Sequence, residues 1–155
     1  MSYDARAIAN YILNLAAADG IPVTPLKMQK LVYLAHGWSL ALRQTPLIFH
    51  EVEAWRYGPV VSELYHAFKQ YGPSPITDKA YVRPGDPPVD SETGTFIKSV
   101  WDAYKKYSGL QLSAMTHEKG YAWDLATSSP TNWFTPRISN TLIADEFIRR
   151  QVSGK

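Results

Sequence analysis

The chain has 155 residues and no cysteine, so it forms no disulfide, no zinc–thiolate site and no cysteine nucleophile. It also lacks any apolar run near the roughly 20 residues that a membrane-spanning helix requires. A strong excess of one charge is missing too, because 16 basic residues face 14 acidic ones and leave a formal net charge of +2. This balance gives no electrostatic support for a nucleic-acid or membrane partner. We therefore expect a cytoplasmic protein that binds neither.

Motifs with a defined chemistry are equally scarce. The histidines are never three or four residues apart, the spacing at which a helix presents two metal ligands; they are His36, His50, His66 and His117. No serine stands in a G-x-S-x-G setting, and no glycine-rich phosphate loop is present. We therefore predict no metal, no cofactor and no catalytic residue. An enzyme, such as a hydrolase, in which His36 or His117 acts as general base beside Glu53 or Glu118 stays open as an alternative.

Composition and periodicity predict a helical protein. About 45% of the residues are hydrophobic and 19% are charged, which is typical of a folded globular chain. Apolar stripes at helical spacing, with capping residues before them, predict about six helices. These cover roughly residues 5–19, 25–43, 59–71, 91–107, 109–117 and 140–151, with a short helical turn at 122–126. We expect residues 128–137 to form a loop.

One short stretch favours β-structure. Residues 47–55 alternate between two faces and are rich in branched and aromatic side chains, which predicts a strand. Residues 73–88 contain five prolines, so they are not helical, and residues 80–83 are expected to pair with the first strand. The predicted fold class is mainly α with a small antiparallel β element (α+β). We expect a single compact domain over residues 1–155, with 73–88 as an internal loop.

Aromatic and histidine side chains concentrate between Gln29 and Tyr71. Gln29, Tyr33 and His36 are spaced four and three residues apart, so they lie on one side of the second helix, off its apolar stripe. Trp55, Arg56 and Tyr57 stand at a turn. Core packing explains most aromatic rings of the chain, and a protein-binding surface is the best functional explanation of the remainder. A base-stacking platform would need a basic groove beside the rings, and the lysines are dispersed.

Three blocks and a later echo carry a resemblance to a known family. The blocks are LKMQKLVYLAHGW at 26–38, EAWRYGPV at 53–60 and YHAF at 65–68, and the echo is Thr116-His117 followed by Ala122-Trp123. Together they resemble the SocA-like, or Panacea, antitoxin domain family, which includes phage-associated GepA-type proteins. The family has proline where this chain has Ala122. The resemblance covers nearly the whole chain.

The resemblance implies a mostly helical domain with a small β element. It also implies a function: an antitoxin that binds and neutralises a cognate toxin in a bacterial or phage toxin–antitoxin system. Delivery of the toxin to an AAA+ protease by an adaptor is a variant mechanism that the resemblance allows. The competing function from another class, besides an enzyme, is a nucleic-acid-binding regulator, which a net charge of +2 does not favour.

We hypothesise that one polar-aromatic patch binds the partner. Its members come from the second helix, the following turn and the fifth helix: Gln29, Lys30, Tyr33, His36, Trp55, Arg56, Tyr57, Gly58, Pro59 and His117. An alternative is equally open for His36, which would also fit as a buried histidine bonded to Tyr33 or to a backbone carbonyl.

Overall fold

A computed structural model describes residues 2–128 and 136–154 of the chain. Within these ranges there are seven α-helices: α1 (Ala5–Asp19), α2 (Pro25–Trp38), α3 (Ser62–Phe68), α4 (Ser91–Tyr104), α5 (Gly109–Thr116), α6 (Ala122–Thr127) and α7 (Asn140–Ser153). A π-helical turn, Ser39–Arg43, extends α2, and a 3-10 turn, Lys69–Tyr71, extends α3. The three strands are β1 (Val52–Trp55), β2 (Gly58–Val60) and β3 (Arg137–Ile138). The predicted class, mainly α with a small antiparallel sheet, is confirmed.

Local capping explains why the helices begin where the sequence predicts. Five helices start after a residue whose side chain accepts a backbone N–H of the first turn; these residues are Asp4, Thr24, Asp90, Ser108 and Ser139. Ser108 and Gln111 form a full capping box at the start of α5. Gly20, in the left-handed conformation at φ 66°, ends α1.

The sheet differs from the prediction in its partners. The strand order is β2-β1-β3, with both neighbours antiparallel to β1, and β1 begins at Val52 rather than at residue 47. The predicted strand at residues 80–83 is wrong. Ala80 gives its N–H to Asn10 Oδ1 and accepts the Asn10 amide at its carbonyl, so its backbone groups are not available to a strand. Arg137, predicted to be loop, lies in β3, and residues 129–135 of that loop lie outside the described residues.

The third helix also begins later than predicted. Arg56 and Tyr57 form a two-residue loop, and Gly58 pairs with Trp55, so Pro59 lies in β2 and α3 begins at Ser62. Gly58 has φ +118°, a backbone conformation that favours glycine. Pro59 has no N–H to donate and suits an edge strand.

Helix α2 lies at the centre of the molecule. Every residue from Lys27 to Gly37 is buried, so this helix has no face in solvent along that stretch. Helices α1, α4, α5 and α7 and the β1–β2 hairpin pack around it. Gly37 permits the close approach of α7, because a Cβ there would overlap the Phe147 ring. The polar side chains of α2 must therefore find partners inside the protein.

Candidate partner-binding site

A cleft of about 480 Å³ opens between the start of α2, the β1–β2 hairpin and α3. Its walls are largely apolar and are formed by Pro25, Leu26, Trp55, Val60, Leu64 and Tyr65. The basic residues of the lining are Lys30, Arg56 and Lys69, and the remaining lining residues are Gln29, Tyr57 and Gly72. The volume lies within the roughly 300–1,000 Å³ of typical ligand sites.

Aromatic rings at the mouth of the cleft are open to solvent. Tyr57, at the tip of the hairpin, is 66% exposed, and Tyr65 of α3 is 44% exposed. The rings of Trp55 and Tyr65 lie with centroids 4.9 Å apart, so they form one continuous aromatic wall. The guanidinium of Arg56 lies 5.6 Å from the Tyr57 ring centroid.

Two side chains of α2 hold the return strand of the hairpin. The Gln29 amide donates to the Val61 carbonyl at 3.0 Å and accepts the Val61 N–H at 2.9 Å. The next residue, Lys30, donates from Nζ to the Pro59 carbonyl at 2.9 Å. These bonds satisfy backbone groups that an edge strand otherwise leaves unpaired.

Two further donors hold the tip of the hairpin from α5 and α6. Ser113 Oγ donates to the Tyr57 carbonyl at 2.8 Å, and Trp123 Nε1 donates to the Trp55 carbonyl at 2.7 Å. The four alternate carbonyls at positions 55, 57, 59 and 61 therefore all accept side-chain donors from helices. The hairpin backbone is fixed, and its outer edge is closed to strand pairing.

Lys30 is the unusual electrostatic feature of the site. Its side chain is fully buried, and burial lowers the pKa of the amine to about 7. A Cβ at Gly58 would lie 2.8 Å from Nζ and 3.0 Å from Thr116 Oγ1, so glycine is needed there for space as well as for φ. The amine thus lies directly beneath the hairpin turn.

His117 supports the turn from behind. Its Nδ1 lies 2.6 Å from the Ser113 carbonyl, and its ring packs edge-on against Trp123 with centroids 4.1 Å apart. A Cβ at Gly58 would come within 3.3 Å of His117 Cε1. His117 does not line the cleft, but it packs against the residues that hold its wall.

Tyr33 lies in the core and takes part in a buried ionic network. Its hydroxyl donates to Glu146 Oε1 at 2.8 Å, and Glu146 Oε2 accepts Arg150 Nε at 2.8 Å. Burial raises the pKa of Glu146 and, with the neighbouring carboxylate, the pKa of Tyr33. Tyr33 does not line the cleft.

His36 is a structural histidine by its contacts. Its Nδ1 accepts the N–H groups of Leu47 and Ile48, so the ring proton is on Nε2, which donates to Asn140 Oδ1 at 3.0 Å. Burial lowers the pKa of His36, which keeps the imidazole neutral. These partners differ from the Tyr33 hydroxyl and backbone carbonyl that the sequence suggested.

The structure thus sorts the ten predicted patch residues by position. Five of them line the cleft, namely Gln29, Lys30, Trp55, Arg56 and Tyr57. Gly58 and Pro59 lie beside these in β2, and His117 lies behind the hairpin turn. Tyr33 and His36 are in the core. Sequence reasoning missed the opposite wall on α3. Tyr65 and Lys69, four residues apart, share a helix face, but nothing in the sequence places that face against the hairpin.

The histidine and carboxylate groups of the enzyme alternative have other partners. His36 and His117 make the contacts given above, and Glu53 accepts the indole N–H of Trp55 at 2.7 Å. His50 lies 3.4 Å from both Asp4 and Glu63, at ion-pair distance. Among residues 2–128 and 136–154, no three histidine or acidic side chains are placed to hold a metal ion. Nor is any helix in this part of the chain both long and apolar enough to cross a bilayer.

Comparison with known proteins places these observations in a family. The family described as antitoxin SocA-like, Panacea domain matches residues 28–124, which include most of α2, the hairpin, α3 and α5. Antitoxin SocA of Caulobacter vibrioides (strain NA1000 / CB15N) is 36% identical over 162 residues, covering 98% of this chain and 86% of that protein. No solved structure matches the chain. The chain therefore belongs to the antitoxin SocA-like, Panacea domain family.

Proposed function

We propose that this protein is the antitoxin of a toxin–antitoxin pair and neutralises its toxin by direct binding at the cleft and hairpin tip. The observation that carries the proposal is the fixed hairpin, which presents Arg56 and Tyr57 to solvent beside an apolar cleft. Tyrosine, tryptophan and arginine are the residues that dominate protein–protein binding energy. The proposed role is binding, without a catalytic step.

The fixed backbone matters for affinity. Association loses free energy when flexible groups are ordered, and a surface that is already held in place avoids that loss. The carbonyls of Trp55, Tyr57 and Pro59 are bonded to side chains from three different helices, so the loop cannot rearrange without breaking several bonds. The hairpin therefore presents its aromatic side chains from a backbone that is already held in place.

Proteolytic delivery uses the same first step. An adaptor that hands the toxin to an AAA+ protease must also bind that toxin, so the cleft serves either mechanism. The two differ in the fate of the toxin, which accumulates in a stable complex in direct neutralisation and is degraded in delivery.

The test is co-expression with the product of an adjacent gene, scoring growth, toxin level and co-purification together. The proposal predicts that the neighbour is toxic alone, is tolerated with the antitoxin and elutes with it as a complex. Tyr57→Ala should weaken the complex by about 2 kcal/mol, or roughly 30-fold in Kd. Tyr81→Ala is the matched control, because Tyr81 is 73% exposed and does not line the cleft.

Each other result has a defined meaning. Growth rescue with falling toxin levels and no stable complex would favour protease delivery. Equal affinities of the Tyr57 and Tyr81 variants would place the interface elsewhere on the molecule. A neighbour that is neither toxic nor bound would remove the basis of the proposal for that gene pair.

A further inference from the structure

We infer that the cleft receives an acidic amphipathic segment of the toxin, whose apolar side chains enter it and whose carboxylates pair with Arg56 and Lys69. This inference rests on the proposed function and adds the chemistry of the bound segment. Three observations carry it: the charge of the lining, the lack of ion-pair partners for these two cations, and the closed edge of β2.

All the charged side chains that line the cleft are basic. The exposed charges of the lining are those of Arg56 and Lys69, and it contains no aspartate or glutamate; the third basic residue, Lys30, is buried and bonded to the Pro59 carbonyl. The nearby carboxylates are held elsewhere, since Glu53 bonds to the Trp55 indole and Glu63 lies 3.4 Å from His50. A chain with a formal net charge of only +2 thus places two exposed cations and no carboxylate around a single apolar cleft.

Arg56 and Lys69 also have no ion-pair partner among the described residues, unlike several basic residues on other surfaces. Lys98 and Lys105 both bond to Asp102, and Arg137 bonds to Glu51. In the part of the chain that the structure describes, Arg56 and Lys69 are both exposed and neither forms an ion pair. An acidic partner would supply the missing charges and would also be steered toward this face.

The closed edge of β2 decides how the segment binds. Addition of a strand needs free backbone donors and acceptors on an edge. Pro59 has no N–H, and the carbonyls of Tyr57, Pro59 and Val61 are already bonded to Ser113, Lys30 and Gln29. The toxin segment must therefore bind through its side chains.

The experiment measures the affinity of the co-purified toxin for charge-reversal variants by titration calorimetry at low and high salt. The double variant Arg56→Glu/Lys69→Glu should raise Kd by roughly a hundredfold at low salt, because like charges would then face each other. The matched control, Lys79→Glu/Lys106→Glu, makes the same change in net charge at two exposed lysines that form no ion pair within the described residues and do not line the cleft. It should leave Kd near that of the wild type.

A second measurement uses overlapping synthetic peptides that cover the toxin sequence. The peptide that binds the wild-type antitoxin should contain both carboxylate and large apolar side chains, and replacing its carboxylates by amides should weaken binding. Reversing one of its carboxylates to lysine should restore part of the affinity of the Arg56→Glu variant. Such a rescue would not occur if the variant were merely misfolded.

The outcomes separate this inference from the proposed function. A stable toxin complex that is indifferent to both double variants, or a bound peptide without carboxylates, overturns the inference and leaves direct neutralisation intact. Tight binding of duplex DNA that Arg56→Glu/Lys69→Glu abolishes would assign the cations to nucleic acid and also overturn it. The absence of any toxin complex overturns the proposed function, and this inference with it.

Discussion

Replacing Lys30 with methionine should change how stability depends on pH. The amine has a pKa of about 7 in the folded protein, against an ordinary value of 10.5. Below pH 7 the Lys30 amine is protonated in both the folded and the unfolded chain. Burying that charge therefore lowers the free energy of unfolding most at these pH values. Between pH 7 and 10.5 only the unfolded chain is protonated, so the free energy of unfolding rises with pH.

The magnitude follows from the size of the shift. Each unit of pKa difference corresponds to about 1.4 kcal/mol, so the wild type should gain about 2 kcal/mol from this amine between pH 7 and pH 9. Lys30→Met has no titrating group there and lacks that gain. It also leaves the Pro59 carbonyl without its donor, which lowers stability at every pH by about 1–3 kcal/mol.

Urea denaturation at pH 7, 8 and 9 is the assay. The free energy of unfolding of the wild type minus that of Lys30→Met should increase by about 2 kcal/mol over this range. Lys79→Met, at an exposed lysine, controls for the loss of one positive charge. A wild-type-minus-variant difference that stays constant from pH 7 to pH 9 would refute the assignment of Lys30 as a buried amine with a lowered pKa.

Three further substitutions test the core and the hairpin. Arg150→Met leaves the buried Glu146 carboxylate without its ion pair and should destabilise the fold by about 3–5 kcal/mol, measured as a lower urea midpoint. Gly58→Ala should lower the free energy of unfolding by at least about 1–2 kcal/mol, because φ is +118° and the new Cβ would crowd Lys30. Thermal unfolding measures this loss, and an unchanged Tm would contradict the backbone geometry. Trp123→Phe removes one donor to the hairpin and should lower the free energy of unfolding by about 1 kcal/mol. It should also weaken toxin binding more than Trp101→Phe does, which is the control because the Trp101 indole bonds to Asp19 away from the hairpin. Equal toxin affinities of the two variants would argue against a role for hairpin rigidity.

Local features of the fold were predictable because their causes are local. Asp4, Thr24, Ser108 and Ser139 cap helices through side chains that reach only two or three residues ahead. The strand at residues 80–83 failed for the opposite reason. The amide that occupies the backbone of Ala80 belongs to Asn10, 70 residues earlier, and no local pattern reveals it.

The candidate site shows the same division. Their spacing puts Gln29, Tyr33 and His36 on one side of α2, away from its apolar stripe. Such a side faces solvent only when the helix lies at the surface of the protein. This helix is enclosed, and these side chains find partners at Val61, Glu146 and Asn140. Residues that carry the family resemblance therefore mostly hold the hairpin and the core, while Arg56 and Tyr57 extend into solvent.

The distant partners of α2 also bear on how a newly made chain becomes active. The Tyr33 hydroxyl and the His36 ring bond to Glu146 and Asn140, which lie 113 and 104 residues further along the chain. A ribosome adding about 5–20 residues per second needs on the order of ten seconds to cover that distance. Until α7 emerges, the polar groups of α2 must stay hydrated, so the central helix cannot be buried. A nascent chain therefore passes through an interval in which the hairpin and its donors from α2, α5 and α6 are already made but the core around α2 is incomplete. During that interval the chain is open to proteases.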